Sequence, residues 1–200
     1  MFRLRASAKV AVLALGAVLL GAGCGAVDER AAAPPKARLT WFSAHGLTVA
    51  VPPRWRPADE SLTPGLGDPR EVLAVATFDL QYRRTACAQV AGSALEDMGP
   101  DDAFVTLQER GLDPGSAWSD FPDRPAHFGP ELGGPSEASA CAPSAHFSDH
   151  WFGFTAGGRH FHADIVFGTE ASGTTRAQAW GILDSLRVDP QVRPDWLSSG

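Results

Sequence analysis

The chain has 200 residues, with 17 lysines and arginines against 23 aspartates and glutamates. Three of the basic residues and none of the acidic ones precede residue 24, so the rest of the chain has a formal net charge of −9. This acidic balance argues against a nucleic-acid partner and against adhesion to anionic lipid through overall charge.

The N-terminal segment has the pattern of a signal peptide. Three basic residues (Arg3, Arg5 and Lys9) precede Val10–Leu20, an uninterrupted run of apolar and small residues. A helix of this length is too short to span about 30 Å of hydrocarbon, but the length suits the apolar region of a signal peptide. We therefore expect residues 1–23 to direct export and to be removed.

A cysteine follows the small residues that end this run, in the sequence Leu20-Gly21-Ala22-Gly23-Cys24. This sequence resembles the lipobox of bacterial lipoprotein precursors, although the leucine lies one place earlier than in the usual pattern. The resemblance implies a lipid on Cys24 and a location at the extracytoplasmic face of the cell membrane. The alternative is ordinary secretion, with cleavage after the same small residues.

The remainder divides into three segments. Residues 24–38 contain Pro34-Pro35, and their apolar residues do not recur at helix or strand spacing. This predicts a lipidated N-terminus followed by a flexible tether. Residues 39–188 are enough for a single domain with a substantial core. Residues 189–200 carry two prolines and predict a loosely ordered tail.

Strand patterns dominate the domain. Residues 46–51 alternate before Pro52-Pro53, Val72–Phe78 is a short buried run, and Ala103–Glu109 alternates again. Between the last two, Cys87–Met98 has apolar residues at helical spacing. Residues 111–145 form the longest irregular stretch, with a short strand expected at Ala126–Phe128.

The three cysteines are an odd number for an exported protein. If Cys24 carries lipid, Cys87 and Cys141 remain as a pair, and export permits a disulfide between them. Closing this loop would stabilise the fold by roughly 4 kcal/mol in the chain-entropy description. The alternative is two buried thiols.

The C-terminal third predicts a β-hairpin and a helix. Two aromatic-rich runs, His146–Thr155 and Arg159–Phe167, flank Gly157-Gly158, which indicates a tight hairpin turn. Thr174–Ser185 has apolar residues at helical spacing, with Ser172 or Thr174 as the N-cap.

These elements predict an α+β fold: an antiparallel sheet with the middle helix and the C-terminal helix packed on one face. The sequences G-L-T-V-A-V-P-P-R-W at 46–55 and W-G-I-L-D-S-L-R-V at 180–188 resemble small secreted bacterial lipoproteins with a PsbP-like α/β fold, of the LpqN type. The resemblance covers both ends of the domain and its element order. It implies an accessory or binding protein without defined catalytic residues.

Four of the six histidines lie in the predicted hairpin. Residues two apart in a strand share a face, so His160, His162 and Asp164 point the same way. A Gly-Gly turn places Asp149 and Trp151 opposite them on that face. Two imidazoles and a carboxylate are a starting set for zinc or copper, which would allow a small metal-dependent enzyme. The alternative is a polar stripe opposite an aromatic core face. We expect no cofactor.

A second candidate is the loop that carries Trp118 and Phe121, because exposed aromatic side chains anchor partners. The alternative is that these rings pack over the sheet edge. No G-x-S-x-G nucleophile motif and no phosphate-binding glycine loop occurs in the sequence. The sequence thus favours a non-enzymatic binding or accessory module of the cell envelope. Its partner would be an unidentified envelope protein or small ligand, besides the membrane that holds its lipid.

Overall fold

The computed structural model describes residues 38–84, 91–111, 121–135 and 146–192. The predicted signal peptide, lipidated Cys24, most of the tether, the cysteine pair Cys87 and Cys141, and Trp118 lie outside these ranges. No helix of the described ranges is long and apolar enough to cross a membrane.

The described residues form eight strands and two helices, which confirms the α+β class. The strands are β1 (Thr40–Ala44), β2 (Leu47–Val51), β3 (Arg56–Pro57), β4 (Arg70–Ala76), β5 (Ala103–Arg110), β6 (Phe147–Ala156), β7 (Arg159–Gly168) and β8 (Arg187–Val188). The helices are α1 (Gly92–Asp97) and α2 (Gly173–Asp184).

The strands form two antiparallel sheets, where the sequence suggested one. The smaller sheet has the order β1-β2-β8 and the larger has the order β3-β4-β5-β7-β6. The prolines after Val51 end β2, since proline cannot donate to a sheet ladder, and the chain then enters the second sheet. Neither β1 nor the two-residue β3 was predicted, because each is short and only half-buried or exposed.

The hairpin of β6 and β7 has the predicted register. Ala156 pairs with Arg159 across Gly157-Gly158, and Phe154 pairs with Phe161. Both turn glycines have positive φ, +59° and +73°, which is the backbone conformation that a two-residue turn of this kind requires.

The two helices lie on opposite faces of the larger sheet, so the prediction that both pack on one face is wrong. Leu95 of α1 is buried with Phe104 and Val166 in one apolar cluster. Leu183 of α2 is buried in a larger cluster with Val105, Ile165 and their neighbours on the other face. Alternate residues of β5 and β7 thus enter different cores, which we call the α1 face and the α2 face.

Helix α2 begins where the sequence predicted. The Ser172 hydroxyl accepts a hydrogen bond from the Thr175 N–H at 3.1 Å, which satisfies one of the unpaired amides of the first turn. At the other end, the Arg124 guanidinium donates to the main-chain oxygens of Asp184 at 2.7 Å and Leu186 at 2.7 Å. A cation at this end also opposes the negative end of the helix dipole.

The described part of the long irregular stretch runs along the outer edge of β6. The Thr155 N–H donates to the Pro122 oxygen at 2.8 Å, and the Arg124 N–H donates to the Thr155 oxygen at 2.9 Å. Gly134 and Trp151 exchange two further backbone hydrogen bonds. The strand predicted at Ala126–Phe128 is wrong, because the chain bends there and Phe128 packs into the α2 face.

A buried ion pair closes the turn end of the α2 face. Arg159 donates from Nε and Nη2 to the two carboxylate oxygens of Glu109 at 2.5 and 2.6 Å, and both side chains are nearly fully buried. Its Nη1 also donates to the main-chain oxygen of His45 at 3.0 Å. Since His45 lies in the turn between β1 and β2, this arginine joins the two sheets.

Candidate functional site

The candidate site is on the α1 face of the hairpin, beyond the part that α1 covers. The residues directly opposite each other there are His160 with Thr155, His162 with Gly153, and Asp164 with Trp151. Directly opposed residues of an antiparallel pair share a face, so the predicted grouping of His160 and His162 holds. We use the name hairpin patch for five side chains of this face: Phe121, Trp151, His160, His162 and Asp164.

His162 lies between two aromatic rings. Its ring centroid is 4.7 Å from that of Phe121 and 4.7 Å from that of Trp151, which it meets edge to face. Burial, with a smaller contribution from the positive charge of Arg110, lowers the pKa of His162 from 6.5 to about 4. The imidazole is therefore neutral at pH 7, and it lies between two uncharged aromatic rings.

Asp164, which the sequence also placed on this face, is a buried carboxyl group of the patch. Its side chain is only 8% exposed, and its Oδ1 atom has no hydrogen-bond partner among the described residues. Burial raises the pKa of this carboxyl from 3.8 to about 7, with a smaller contribution from the negative charge of Asp149. On the neighbouring strand, Thr106 is directly opposite, and its hydroxyl also lacks a partner within the described ranges.

The predicted metal ligands do not converge on one point. Asp149 is opposite Val166, whereas His162 is opposite Gly153, four residues further along the same strand. At a rise of about 3.3 Å per residue, four residues separate these positions by about 13 Å. The described residues contain no group of three His, Cys, Asp or Glu side chains that could hold a metal ion. This geometry gives no support to the metal-dependent enzyme.

Phe121, predicted as part of a partner-contact loop, lies half-buried against the hairpin. Its ring covers Gly153 so closely that a Cβ atom on that glycine would be 2.7 Å from the ring. It also lies 5.9 Å from the His160 ring, between centroids. Phe121 is thus part of the same surface as the histidines, a connection that the sequence did not indicate, because 39 and 41 residues separate it from them.

A second buried carboxyl lies at the other edge of the larger sheet. Glu71 accepts a hydrogen bond from the Leu62 N–H at 2.9 Å and one from the Thr63 hydroxyl at 3.3 Å. Burial raises the pKa of Glu71 to about 7 despite these donors. The group lines a cavity of about 160 Å³ together with Phe42 and His45. Nothing in the sequence pattern indicated it, since burial here depends on the path of residues 58–63.

No known family model matches the chain, and no characterised protein sequence is significantly similar to it. The resemblance to PsbP-like lipoproteins therefore stays a prediction. Function must instead be inferred from the geometry of the hairpin patch and from the N-terminal sequence.

Proposed function

We propose that this protein is a lipid-anchored, extracytoplasmic binding or accessory module of the cell envelope, comparable to the PsbP-like lipoproteins that it resembles. The observation that carries this proposal is the order of segments: a basic and apolar leader, small residues before Cys24, a proline-containing tether, and then a compact domain.

The structure supports the tethered arrangement. The first described strand, β1, is at the edge of the smaller sheet, so the tether joins the domain at its periphery. Among the described residues, the buried members of the apolar clusters begin at Leu47, with Phe42 packed against one cluster.

The anchor is tested by replacing the cysteine that would carry it. We expect the wild-type protein to incorporate labelled fatty acid and to stay with membranes until detergent is added. Cys24→Ala should lose the label and either persist as a precursor or appear in the medium. Ser7→Ala, in the leader, is the matched control and should behave as wild type. If Cys24→Ala is processed and fractionates as wild type does, the anchor is wrong.

We further propose that the hairpin patch is the contact surface of this module. Buried carboxyls with a raised pKa beside a neutral imidazole occur at functional sites. The Asp164 Oδ1 also lacks a hydrogen-bond partner among the described residues, and leaving a buried oxygen unsatisfied costs about 1–3 kcal/mol. Flat rings and titratable groups suit a ligand held by stacking and hydrogen bonds.

Histidine footprinting tests this contact whatever the chemical identity of the ligand. Diethylpyrocarbonate should modify His160 more slowly in intact envelopes than in detergent-purified protein, because a bound ligand covers it. His127, whose side chain is 88% exposed and which lies outside the patch, is the matched control and should react equally in both preparations. Equal reactivity of His160 in the two preparations would contradict the assignment.

A further inference from the structure

The outer face of the smaller sheet carries an exposed apolar pair close to the tether. Leu39 and Trp41 are each 51% exposed, although both are large hydrophobic residues. They are two residues apart in and just before β1, so they point to the same side, whereas Phe42 points to the core. We name the side chains of Leu39, Trp41 and Arg187 the β1 surface.

An arginine side chain contacts the tryptophan of this apolar pair. The guanidinium carbon of Arg187 lies 4.5 Å from the centroid of the Trp41 ring, in a cation–π arrangement that leaves both groups exposed. Arg38 directly precedes Leu39, and Arg54 follows β2 three residues after Val51, the partner of Thr40. Arg187 therefore places a positive charge against the exposed Trp41 ring.

The position of this surface along the chain indicates what it faces. Arg38 is fourteen residues after Cys24, and a segment of this length spans at most about 50 Å when fully extended. Of the described elements, β1 has the shortest covalent path to the lipid. A tether of this length keeps the surface at a high effective concentration beside the bilayer, so that even a weak contact is populated.

The chemistry of the surface matches the lipid–water interface. Tryptophan is enriched at that depth because its ring is apolar and its indole N–H is polar. Arginine beside it can pair with the phosphate of a headgroup, and each such charge contributes attraction to anionic lipid. The other exposed large hydrophobic residues among those described, Tyr82 and Val192, lie in separate segments, and neither has a neighbouring cation–π arrangement.

From these observations we infer that the β1 surface docks on the outer leaflet of the membrane that holds the lipid anchor, with the Trp41 ring at the headgroup level. The inference depends on the proposed anchor, since the tether supplies the proximity. It adds an orientation to the proposed anchor, because it specifies which side of the domain faces the bilayer.

Tryptophan quenching in vesicles tests the orientation. The lipidated protein is placed in vesicles of phosphatidylglycerol and brominated phosphatidylcholine, whose bromine atoms quench only tryptophans at the bilayer. Part of the fluorescence should be quenched, and Trp41→Phe should remove most of that quenched part. Trp151→Phe, which removes a tryptophan of the hairpin patch, should leave the quenched part in place.

A lipid-free arm separates this inference from the anchor. Residues 24–200 carrying Cys24→Ser are sedimented with vesicles of phosphatidylglycerol and phosphatidylcholine without bromine. Arg187→Ala should weaken this binding by about fivefold, the factor that corresponds to about 1 kcal/mol per basic residue at an anionic surface. Arg84→Ala, which removes an exposed arginine outside the β1 surface, is the matched control and should bind as the parent does. Equal circular dichroism verifies that each variant is folded.

The outcomes are distinguishable. If mass spectrometry finds no lipid on Cys24, the proposed anchor fails, and the sedimentation arm decides the membrane contact by itself. If the lipid is present but Trp41→Phe leaves quenching unchanged, the inference is wrong and the anchor stands. If Trp41→Ala instead changes the oligomeric state in solution without vesicles, the occupant of the surface is a second copy of the chain, which also overturns the inference.

Discussion

Two buried carboxyl groups on neighbouring strands of the larger sheet, Glu109 and Asp164, have opposite surroundings. Glu109 is 1% exposed on the α2 face and receives both donors of a bidentate arginine. Asp164 is 8% exposed on the α1 face, and its Oδ1 has no partner in the described part of the chain. The two groups show that similarly buried carboxyls can have opposite surroundings, one with two arginine donors and the other with an oxygen that has no partner among the described residues.

The same comparison distinguishes the two faces of the hairpin. On the α2 face, Phe154, Phe161 and Ile165 are closely packed and the one buried acid described there is paired. On the α1 face, the alternate residues of the same strands include polar side chains, and the Asp164 Oδ1 has no hydrogen-bond partner among the described residues. We interpret the first face as selected for folding and the second as selected for contact with a ligand.

The largest expected effect comes from removing the partner of Glu109. Arg159→Met leaves a buried carboxylate without a counterion and also removes the hydrogen bond to His45. We expect the free energy of unfolding, measured by urea denaturation, to fall by about 3–5 kcal/mol. Adding Glu109→Leu should recover most of the loss, because an apolar pair replaces the stranded charge. A loss below about 1 kcal/mol in the single variant would show that Glu109 is solvated.

The second-largest expected effect is an increase in the free energy of unfolding. Asp164→Asn removes a group that must be buried in charged form at high pH, so we expect the variant to be more stable than wild type by about 2 kcal/mol at pH 8. The upper limit set by a pKa raised from 3.8 to about 7 is about 4 kcal/mol, and the buried amide retains part of the desolvation cost. The neighbouring core variant Ile165→Val is the control, with a loss of about 0.5–1.5 kcal/mol at every pH.

The difference in stability between Asp164→Asn and wild type should depend on pH, in the direction set by the shifted pKa values. Between pH 4 and 7 the folded chain keeps the Asp164 proton that the unfolded chain releases, so this group makes stability fall as pH rises. Glu71 acts in the same direction. His162 acts oppositely between about pH 4 and 6.5, because its folded pKa is lowered. The advantage of Asp164→Asn should therefore grow from pH 4 to 7 and then level off. A constant difference across this range would show that Asp164 has an ordinary pKa.

The smallest effect tests the position of Phe121. Gly153→Ala places a methyl group where the Phe121 ring lies, and the half-buried ring can move aside. We expect a loss of about 1 kcal/mol in urea denaturation, at the lower end of the range for overpacking. In a Phe121→Ala background the same substitution should cost almost nothing. If the loss is equal in both backgrounds, Phe121 does not cover the hairpin.

The sequence predicts the hairpin well because its information is local. Gly157-Gly158 fixes the turn, and the period-two pattern of Phe152, Phe154 and Phe161 fixes the face. It predicts the start of α2 for the same reason, since Ser172 caps an amide three residues away. The placement of the helices on two faces depends instead on how small residues such as Ala74 and Ala76 pack. No periodic pattern of apolar residues in the sequence indicates this packing.

The candidate site was predictable only in part. His160 and His162 could be assigned to one face, but the ring of Phe121 and the buried ion pair of Arg159 with Glu109 could not be foreseen. Both depend on contacts between residues far apart in the chain, 50 residues in the case of the ion pair. Such contacts are made by tertiary packing, which local patterns do not encode.

The segment along β6 also bears on self-association. A strand at a sheet edge ordinarily offers a row of N–H and C=O groups that can pair with another chain. At Trp151 and Thr155 these groups already bond to Gly134, Pro122 and Arg124. Anchored proteins share a two-dimensional surface, where encounters between copies are frequent. A β6 strand whose outward backbone groups are occupied at two of its positions is a poor template for such pairing. If the proposed anchor holds copies of this chain on one surface, the segment would limit intermolecular β-structure among them.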